Sequence, residues 1–436
     1  MTLKKPTIWI VATGEPVPFV AEESRDRYLR AGKLSEYFAA QGYDTVWWTA
    51  RFNHNSKSHR NVNADVLVKS NPGQPDLVFL GSSGYRSHIG LARLRDHWQL
   101  GRNFRRLAPS LDRPDVIFCS YPTVELAYEA VRFGKKYGIP VIIDVRDLWP
   151  DVIYERLEQI VKIRVNGMLV PYERMARYVF KHATAVTAIS TGILNWAQTR
   201  FQRPESKISR DASFYQFKQE APAPGGGAEE KEYFKCQGID LDADITRFVW
   251  VGNIVPDTDA DALLEAIEKL PDEVARKLEF VICGNGSLVE RVKKMSKNHP
   301  HLKYAGWVNA KQITALMTRS HIGLLCYLDR LDFRISIPNK VLDYLDGECR
   351  ILTNLEGEID VVCKGTDAVI RYPTGNVDAL TELFSQIAAS PDHFRQKFET
   401  GKAIFREHFW SDRVLPQIEE FILSNIKQDK ERKNQG

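Results

Sequence analysis

Short apolar runs alternate with longer stretches of helical periodicity along most of the chain, the pattern of parallel sheets built from βαβ units. In the first half the runs are TIWIVAT (7–13), DTVWWTA (44–50), DVLVK (65–69), DLVFLG (76–81), DVIFCS (115–120), PVIIDV (140–145) and AVTAIS (185–190), with helical segments at 24–41 and at 123–137, before Gly138. In the second half they are RFVWVG (247–252), LEFVIC (278–283), LKYAG (302–306), HIGLLCY (321–327), RILTN (350–354) and DAVIRY (367–372). Two successive doubly wound α/β domains account for this rhythm, spanning 1–200 and 246–390. Between them 201–245 loses the alternation and contains APAPGGGAEEKE (221–232), the composition of a solvated linker. The stretch 391–436 ends in a polar tail, but Phe394, Phe398, Ile404, Phe405, Phe409, Trp410, Leu415 and Ile418 require its helices to dock on the body.

Composition narrows the class. A chain of 436 residues exceeds what one core usually serves, and 43% apolar with 27% charged residues is ordinary for a soluble protein. A net charge of +4 gives no argument for nucleic acid. The six cysteines form no CxxC pair and sit mostly in apolar runs, which favours buried thiols in a cytoplasmic protein. No apolar stretch approaches the roughly 18 residues of a membrane span, so any membrane contact is expected to be peripheral.

Doubly wound sheets bind ligands outside the carboxyl ends of their strands, and four such places carry candidate chemistry. After FVWVGN, Gly252 and Asn253 precede a helix from about Asp259, which reads either as an anion-facing turn or as a plain strand-to-helix turn. In FVICGNG, Gly284, Asn285 and Gly286 fit a tight turn whose backbone could face a base or phosphate, although a lone GxG is weak evidence. In SIPNKVLDYLDG, Ser336 is read as an N-cap with Pro338 in the first turn. Asn339, Lys340 and Asp343 then project together, either toward a nucleotide or as a surface Lys340–Asp343 pair. In IIDVRDLWPD, Asp144, Arg146, Asp147 and Asp151 crowd a strand end, with Arg146 holding the acids ionised or serving a structural network.

Several ordered segments together resemble glycosyltransferase family 4, the branch found in bacterial capsule and O-antigen assembly. They are ATGEPVPF (12–19), VWWTARFNH (46–54), DVRDLWPDV (144–152), FVWVGN (248–253), FVICGNGSLVERV (280–292) and SIPNKVLDYLDGECRILTN (336–354). The resemblance implies a GT-B fold, two Rossmann-like doubly wound domains facing across a cleft. It also implies retaining transfer of a hexosyl or N-acetylhexosaminyl group from a nucleotide-diphosphate sugar, UDP-linked by expectation, without a metal or other cofactor. By similarity Asp343 matches the second acid of the Glu-x7-Glu element and holds the donor ribose, while Ile335 replaces the first acid. Lys340, Asn339 and Ser336 lie where the pyrophosphate or transferred sugar would be. Gly14 approaches donor phosphates and acceptor, and Arg146 and Asp147 sit at the acceptor-side catalytic position. IVPDTDADA follows FVWVGN in place of the family's basic phosphate clamp.

The segment 86–106, RSHIGLARLRDHWQLGRNFRR, has six arginines, a single acid and interleaved apolar residues. Arg93, Arg95, Trp98, Arg102 and Arg105 are expected to meet an anionic bilayer carrying a lipid-diphosphate-linked or polysaccharide acceptor, on the inner face of the cell membrane. Its alternative is a solvated basic helix face. Two other readings of the whole chain are a sugar-nucleotide epimerase of the same fold and a non-catalytic nucleotide-sugar-binding scaffold. Nucleic acid is not an expected partner.

Overall fold

The computed structural model describes residues 5–17, 29–86, 90–152, 159–220 and 227–435. Parts of several expected segments therefore lie outside the described residues: the end of ATGEPVPF, the start of helix 24–41, Ile89 of the basic segment, and 221–226 of the linker. The chain divides into two compact units, one of residues 1–214 and 415–436, the other of 215–414.

The first unit is built on strands β1 (Thr7–Val11), β2 (Asp44–Ala50), β3 (Phe52–Asn53), β4 (Ser58–His59), β5 (Leu67–Val68), β6 (Asp76–Leu80), β7 (Val116–Tyr121), β8 (Val141–Val145), β9 (Ala185–Ala188) and β10 (Ala212–Ser213). Eight form one sheet in the order β10-β9-β8-β7-β1-β2-β6-β5. Ile8, Trp9, Ile10 and Val11 of the central strand are all buried, as continuous apolar runs in a two-sided parallel sheet require. Against one face Trp9 packs on Trp48, with ring centroids 4.8 Å apart, and stacks on Phe133 at 5.6 Å. Two features depart from the parallel expectation. β5 pairs antiparallel with β6, because the few residues between them are too short for a crossover, and β3 and β4 form a separate hairpin.

The second unit contains β11 (Thr246–Val251), β12 (Leu278–Cys283), β13 (Leu302–Gly306), β14 (Ile322–Leu325), β15 (Arg350–Thr353) and β16 (Val369–Arg371), all parallel, in the order β13-β12-β11-β14-β15-β16. Each sheet face carries its own buried cluster, one around Val249, Val281 and Tyr344 and the other around Phe248, Phe280 and Phe384. In each sheet the strand order reverses at one place: β1 lies between β7 and β2, and β11 lies between β12 and β14. These are the topological switch points at which such sheets open a ligand crevice.

The stretch expected to be an interdomain linker is anchored at a few buried side chains, with many exposed residues between them. Arg203 is buried in an ion pair with Asp211 in the first unit. Phe217, Phe234, Ile239 and Leu241 are buried in the second, where Ala228–Cys236 is helical. Its irregular rhythm reflects short elements between exposed residues, and Gly227, Ala228, Glu229 and Glu232 of APAPGGGAEEKE are exposed as its composition implies. Among the described residues no helix is long and apolar enough to cross a membrane.

Candidate functional site

In the second unit the polar trio does not converge. Helix Asn339–Asp346 starts with Pro338 as N-cap and no side-chain cap. The expected N-cap, Ser336, instead donates its hydroxyl to Asp332 O at 2.5 Å. The reason is local: a residue before proline is kept out of the helical region, so Ile337 cannot begin the helix. Asn339 is exposed at the first turn. Lys340 and Asp343 are both buried and not paired with each other, so the surface-pair alternative also lapses.

Lys340 turns its ammonium toward the switch point. Nζ lies 4.0 Å from the ring centroid of Trp250 on β11 and 5.0 Å from that of Tyr327, just past β14. It is buried with no hydrogen-bond partner among the described residues, and burial pushes its pKa down to about 7. Nearby Cys326 is a thiol that burial raises to about 12, so it is no counter-ion. A Cβ at Gly252 would lie 3.6 Å from Lys340 Cε and 3.8 Å from Nζ, which places the β11 turn beside the amine.

Asp343 has a different neighbour. Its Oδ1 lies 2.7 Å from Lys218 Nζ, which also reaches Asp346 Oδ2 at 2.8 Å, and Asp346 Oδ1 accepts from Lys402 at 2.6 Å. The carboxylate expected at a ribose is thus in a buried ion pair inside the unit, and Lys218 escaped the sequence reading because it lies in the supposed linker.

The glycine turns serve loop packing. Gly252, Gly284 and Gly286 have φ of +131°, +129° and +147°. A Cβ at Gly284 would come within 2.0 Å of Gly252 O, and one at Gly286 within 2.2 Å of Ile254 O. Gly252 N donates to Cys283 O and Ile254 N to Asn285 O, tying the two turns together. Asn253 and Asn285 are exposed at their tips. The next helix, Ala260–Glu268, has Asp259 as its N-cap residue, with its carboxylate turned to Tyr372 Oη and Gly375 N.

In the first unit a cavity of about 220 Å³ opens at the ends of β1, β2 and β7. Gly14 lines it, and among the described residues nothing lies within 4 Å of a would-be Cβ there. Glu15, which sequence reasoning passed over, accepts from Ala31 N at 2.9 Å and Gly32 N at 3.2 Å at the start of helix Arg30–Ala40. It also pairs with Arg146. The expected cluster around Arg146 separates into distinct partnerships. Asp144 is clasped by Arg30, with Nε 3.0 Å from Oδ2 and Nη2 3.2 Å from Oδ1. Asp147 accepts from Leu148 N at 2.8 Å, and Asp151 pairs with Arg200 at 2.9 Å. Arg146 therefore balances Glu15 first, with Asp144 a neighbouring charge.

Helix Leu91–Leu107 presents Leu91, Arg95, Trp98, Arg102 and Arg105 on one exposed stripe, with Leu91 70% and Trp98 55% exposed. Arg93 is corrected: it shares the inward face of Asp96, His97 and Leu100 and lines the cavity. Its guanidinium lies 4.9 Å from the Trp149 ring centroid and 5.7 Å from that of Tyr85. His97 is pushed down to about 3 by burial and by the Arg93 and His54 charges.

Residues 29–209 match the family described as Glycosyl transferase 4-like domain, and residues 245–390 match Glycosyl transferases group 1. No curated protein sequence matches the chain. Among solved structures it is similar to sucrose-phosphate synthase from Thermosynechococcus elongatus, with 12% identity, TM-score 0.67, and coverage of 95% of this chain and 98% of that one. It is also similar to Anabaena Alr3699/HepE in complex with UDP-glucose, with 12% identity, TM-score 0.62, and coverage of 96% and 100%. A third is the lipopolysaccharide outer core galactosyltransferase WaaB, with 14% identity, TM-score 0.59, and coverage of 96% and 99%. At these identities the likeness is one of fold.

Proposed function

Proceeding from the premise that the chain is a glycosyltransferase of the GT-B type, as its two family domains support, we propose that it moves a hexosyl or N-acetylhexosaminyl group from a UDP-sugar to a lipid-linked or polysaccharide acceptor, with retention and without a metal. The observation that carries the reading is Lys340: a buried amine with no hydrogen-bond partner among the described residues, at the switch point of the 245–390 domain. A buried cation without a counter-ion is costly, and an anion placed against it removes that cost. The diphosphate of the donor is such an anion.

As the bond from the sugar C1 to the diphosphate oxygen breaks, negative charge grows on the leaving group, and Lys340 stabilises it. The acceptor oxygen bonds to C1 on the same face, and its proton passes to the departing phosphate. Asn253 and Asn285, exposed at the tips of two glycine turns, and Asn339 at the helix start are proposed donor contacts. Ser336, whose hydroxyl donates to Asp332 O, precedes that helix start and is proposed with them. Gly14, Arg146 and Asp147 belong to the acceptor side, with Arg146 positioned by Glu15. A UDP donor is supported by the UDP and UDP-glucose complexes of the HepE neighbour, and a glycan acceptor by the galactosyltransferase neighbour. The exposed stripe of helix Leu91–Leu107 supports peripheral contact with an anionic cytoplasmic membrane face and a role in bacterial surface glycan assembly.

The test is binding of UDP, GDP and their sugars to wild type and Lys340→Met, followed by transfer of radiolabelled sugar into a lipid fraction. UDP binding lost in the variant, with label in lipid, is the expected result. A free sugar-nucleotide isomer would make it an epimerase. Binding without turnover would make it a scaffold.

A further inference from the structure

What surrounds the Lys340 amine is aromatic and uncharged. Among the described residues Nζ has neither a hydrogen bond nor an ion pair. Asp343 and Asp346, the acids of its own helix, are turned to Lys218 and Lys402. Cys326 and Tyr327, at the end of β14, are both raised by burial, so neither is charged near neutral pH. Asp259, next to Cys326, accepts from Tyr372 Oη and Gly375 N. Two rings take the place of a counter-ion: Nζ lies 4.0 Å from the Trp250 centroid and 5.0 Å from that of Tyr327.

Both rings are fixed. Trp250 is buried in the central strand β11, in register with Ile282 of β12. Tyr327 packs on Phe333 with centroids 4.4 Å apart, and Asn354 holds its backbone: Tyr327 N donates to Asn354 Oδ1 at 3.2 Å, and Asn354 Nδ2 donates to Tyr327 O at 2.6 Å. The indole is an expensive choice for this strand. Its Nε1 is buried with no hydrogen-bond partner among the described residues, and a buried donor without an acceptor is destabilising. Phenylalanine or leucine would fill the strand without that penalty, whereas the face of tryptophan is the strongest cation partner among aromatic side chains. A carboxylate in the same place would hold the amine too, but it would occupy its N–H groups and repel an incoming anion. Ring faces attract a cation while carrying no net charge, which leaves the three N–H donors of the ammonium to phosphate oxygens.

We infer that Trp250 and Tyr327 are positioning residues of the donor site, which hold Lys340 as an ammonium ready for the diphosphate. The inference rests on the proposed function in placing the diphosphate at Lys340. Burial lowers the amine to about 7, and the ring faces pull the other way. A weaker ring face therefore makes the ammonium harder to form in the free protein. Its effect on donor affinity grows with pH, because at higher pH more of the amine must take up a proton as the diphosphate binds. Below the pKa of the amine, free and bound protein both hold the ammonium over the ring, and the effect cancels.

The experiment introduces tetrafluorinated tryptophan at position 250 alone, by stop-codon suppression in the full chain, and titrates UDP at a series of pH values from about 6 to 9, across the range in which Lys340 changes charge. Fluorine withdraws charge from the ring face while nearly preserving its shape. Comparison with wild type at each pH cancels the ionisation of UDP itself. The fluorinated chain should match wild type within about twofold near pH 6 and bind UDP about tenfold more weakly by pH 9. In the Lys340→Met background the fluorine effect should vanish. Tyr327→Phe should keep wild-type affinity, and Tyr327→Leu should show the same pH trend at smaller size, its ring being the farther one. A loss equal at every pH would make the ring a packing element, and that result, no loss at all, or a loss that persists in Lys340→Met would each overturn the inference and leave the donor reading intact. Failure of the wild type to bind UDP would remove the proposed function on which it rests.

Discussion

Lys218 Nζ lies between two buried carboxylates, 2.7 Å from Asp343 Oδ1 and 2.8 Å from Asp346 Oδ2. Removing the cation leaves two acids without it in a site of low exposure. Lys218→Met should cost about 3–5 kcal/mol, measured by urea unfolding, with Lys218→Arg costing less. A loss below about 1 kcal/mol, the range of an exposed pair, would show that the site is open to water and return Asp343 to the pool of donor ligands.

Lys340 gives a prediction of opposite sign for stability. Its folded pKa is about 7 against an ordinary 10.5 because of burial. Below about 7 the amine is protonated in folded and unfolded chains alike, and the burial penalty is present in full. Between about 7 and 10.5 the unfolded chain holds a proton that the folded chain has released, so stability rises with pH. Lys340→Met should therefore stabilise the protein most below pH 7, with the gain shrinking toward pH 10.5. The same variant should lose about 10- to 100-fold in UDP affinity, the size of a hydrogen bond to a charged group. Melting curves across pH, with titration of UDP, check both halves.

Glu348 follows helix Asn339–Asp346 with φ +57°. Cys349 N bonds to Tyr344 O and Glu348 N to Leu345 O, the paired bonds of a helix end whose left-handed residue is usually glycine. Glu348→Gly should thus stabilise the protein by roughly 0.5–1 kcal/mol. Thermal denaturation of the single variant decides it, and an unchanged or lower midpoint would sink the idea.

On helix Leu91–Leu107 the corrected face predicts a division among arginines. Reversing Arg95, Arg102 and Arg105 to glutamate should weaken binding to vesicles containing phosphatidylserine by about 100-fold or more, at roughly 1 kcal/mol per basic residue near the surface. Trp98→Ala should weaken it further. Arg93→Gln, which alters the cavity, should leave vesicle sedimentation unchanged. Sedimentation that persists after the triple reversal would make the stripe a solvated face.

The sheets were legible because strands buried on both sides must be apolar throughout, and TIWIV or LEFVIC cannot be read as anything exposed. β5 was read as a strand, but its direction depends on loop length and not on its own residues. Lys218 and Asp343 lie 125 positions apart, and no local pattern announces such a pair. Glu15 was hidden for a related reason: a loop acid gains meaning only when a helix start and Arg146 arrive beside it. Arg93 was misplaced although helical spacing from Asp96, His97 and Leu100 put it on their face; the basic composition of the segment overshadowed its periodicity. The SIPNK helix start was located correctly to within a turn, and the proline rule for Ile337 carried the detail that propensity for serine caps obscured.

The first unit is discontinuous in sequence, and this bears on how the protein is made. Tyr37 and Tyr43 both donate to Glu419, at 2.5 and 2.6 Å, and Phe214 meets Phe421 edge-on. Those partners follow the second unit in the chain, and everything in that unit is contiguous and synthesised before them. The sheet built before residue 214 must wait for residues 415–435, made after the whole second unit, so a stop codon ahead of them would injure an element encoded far upstream.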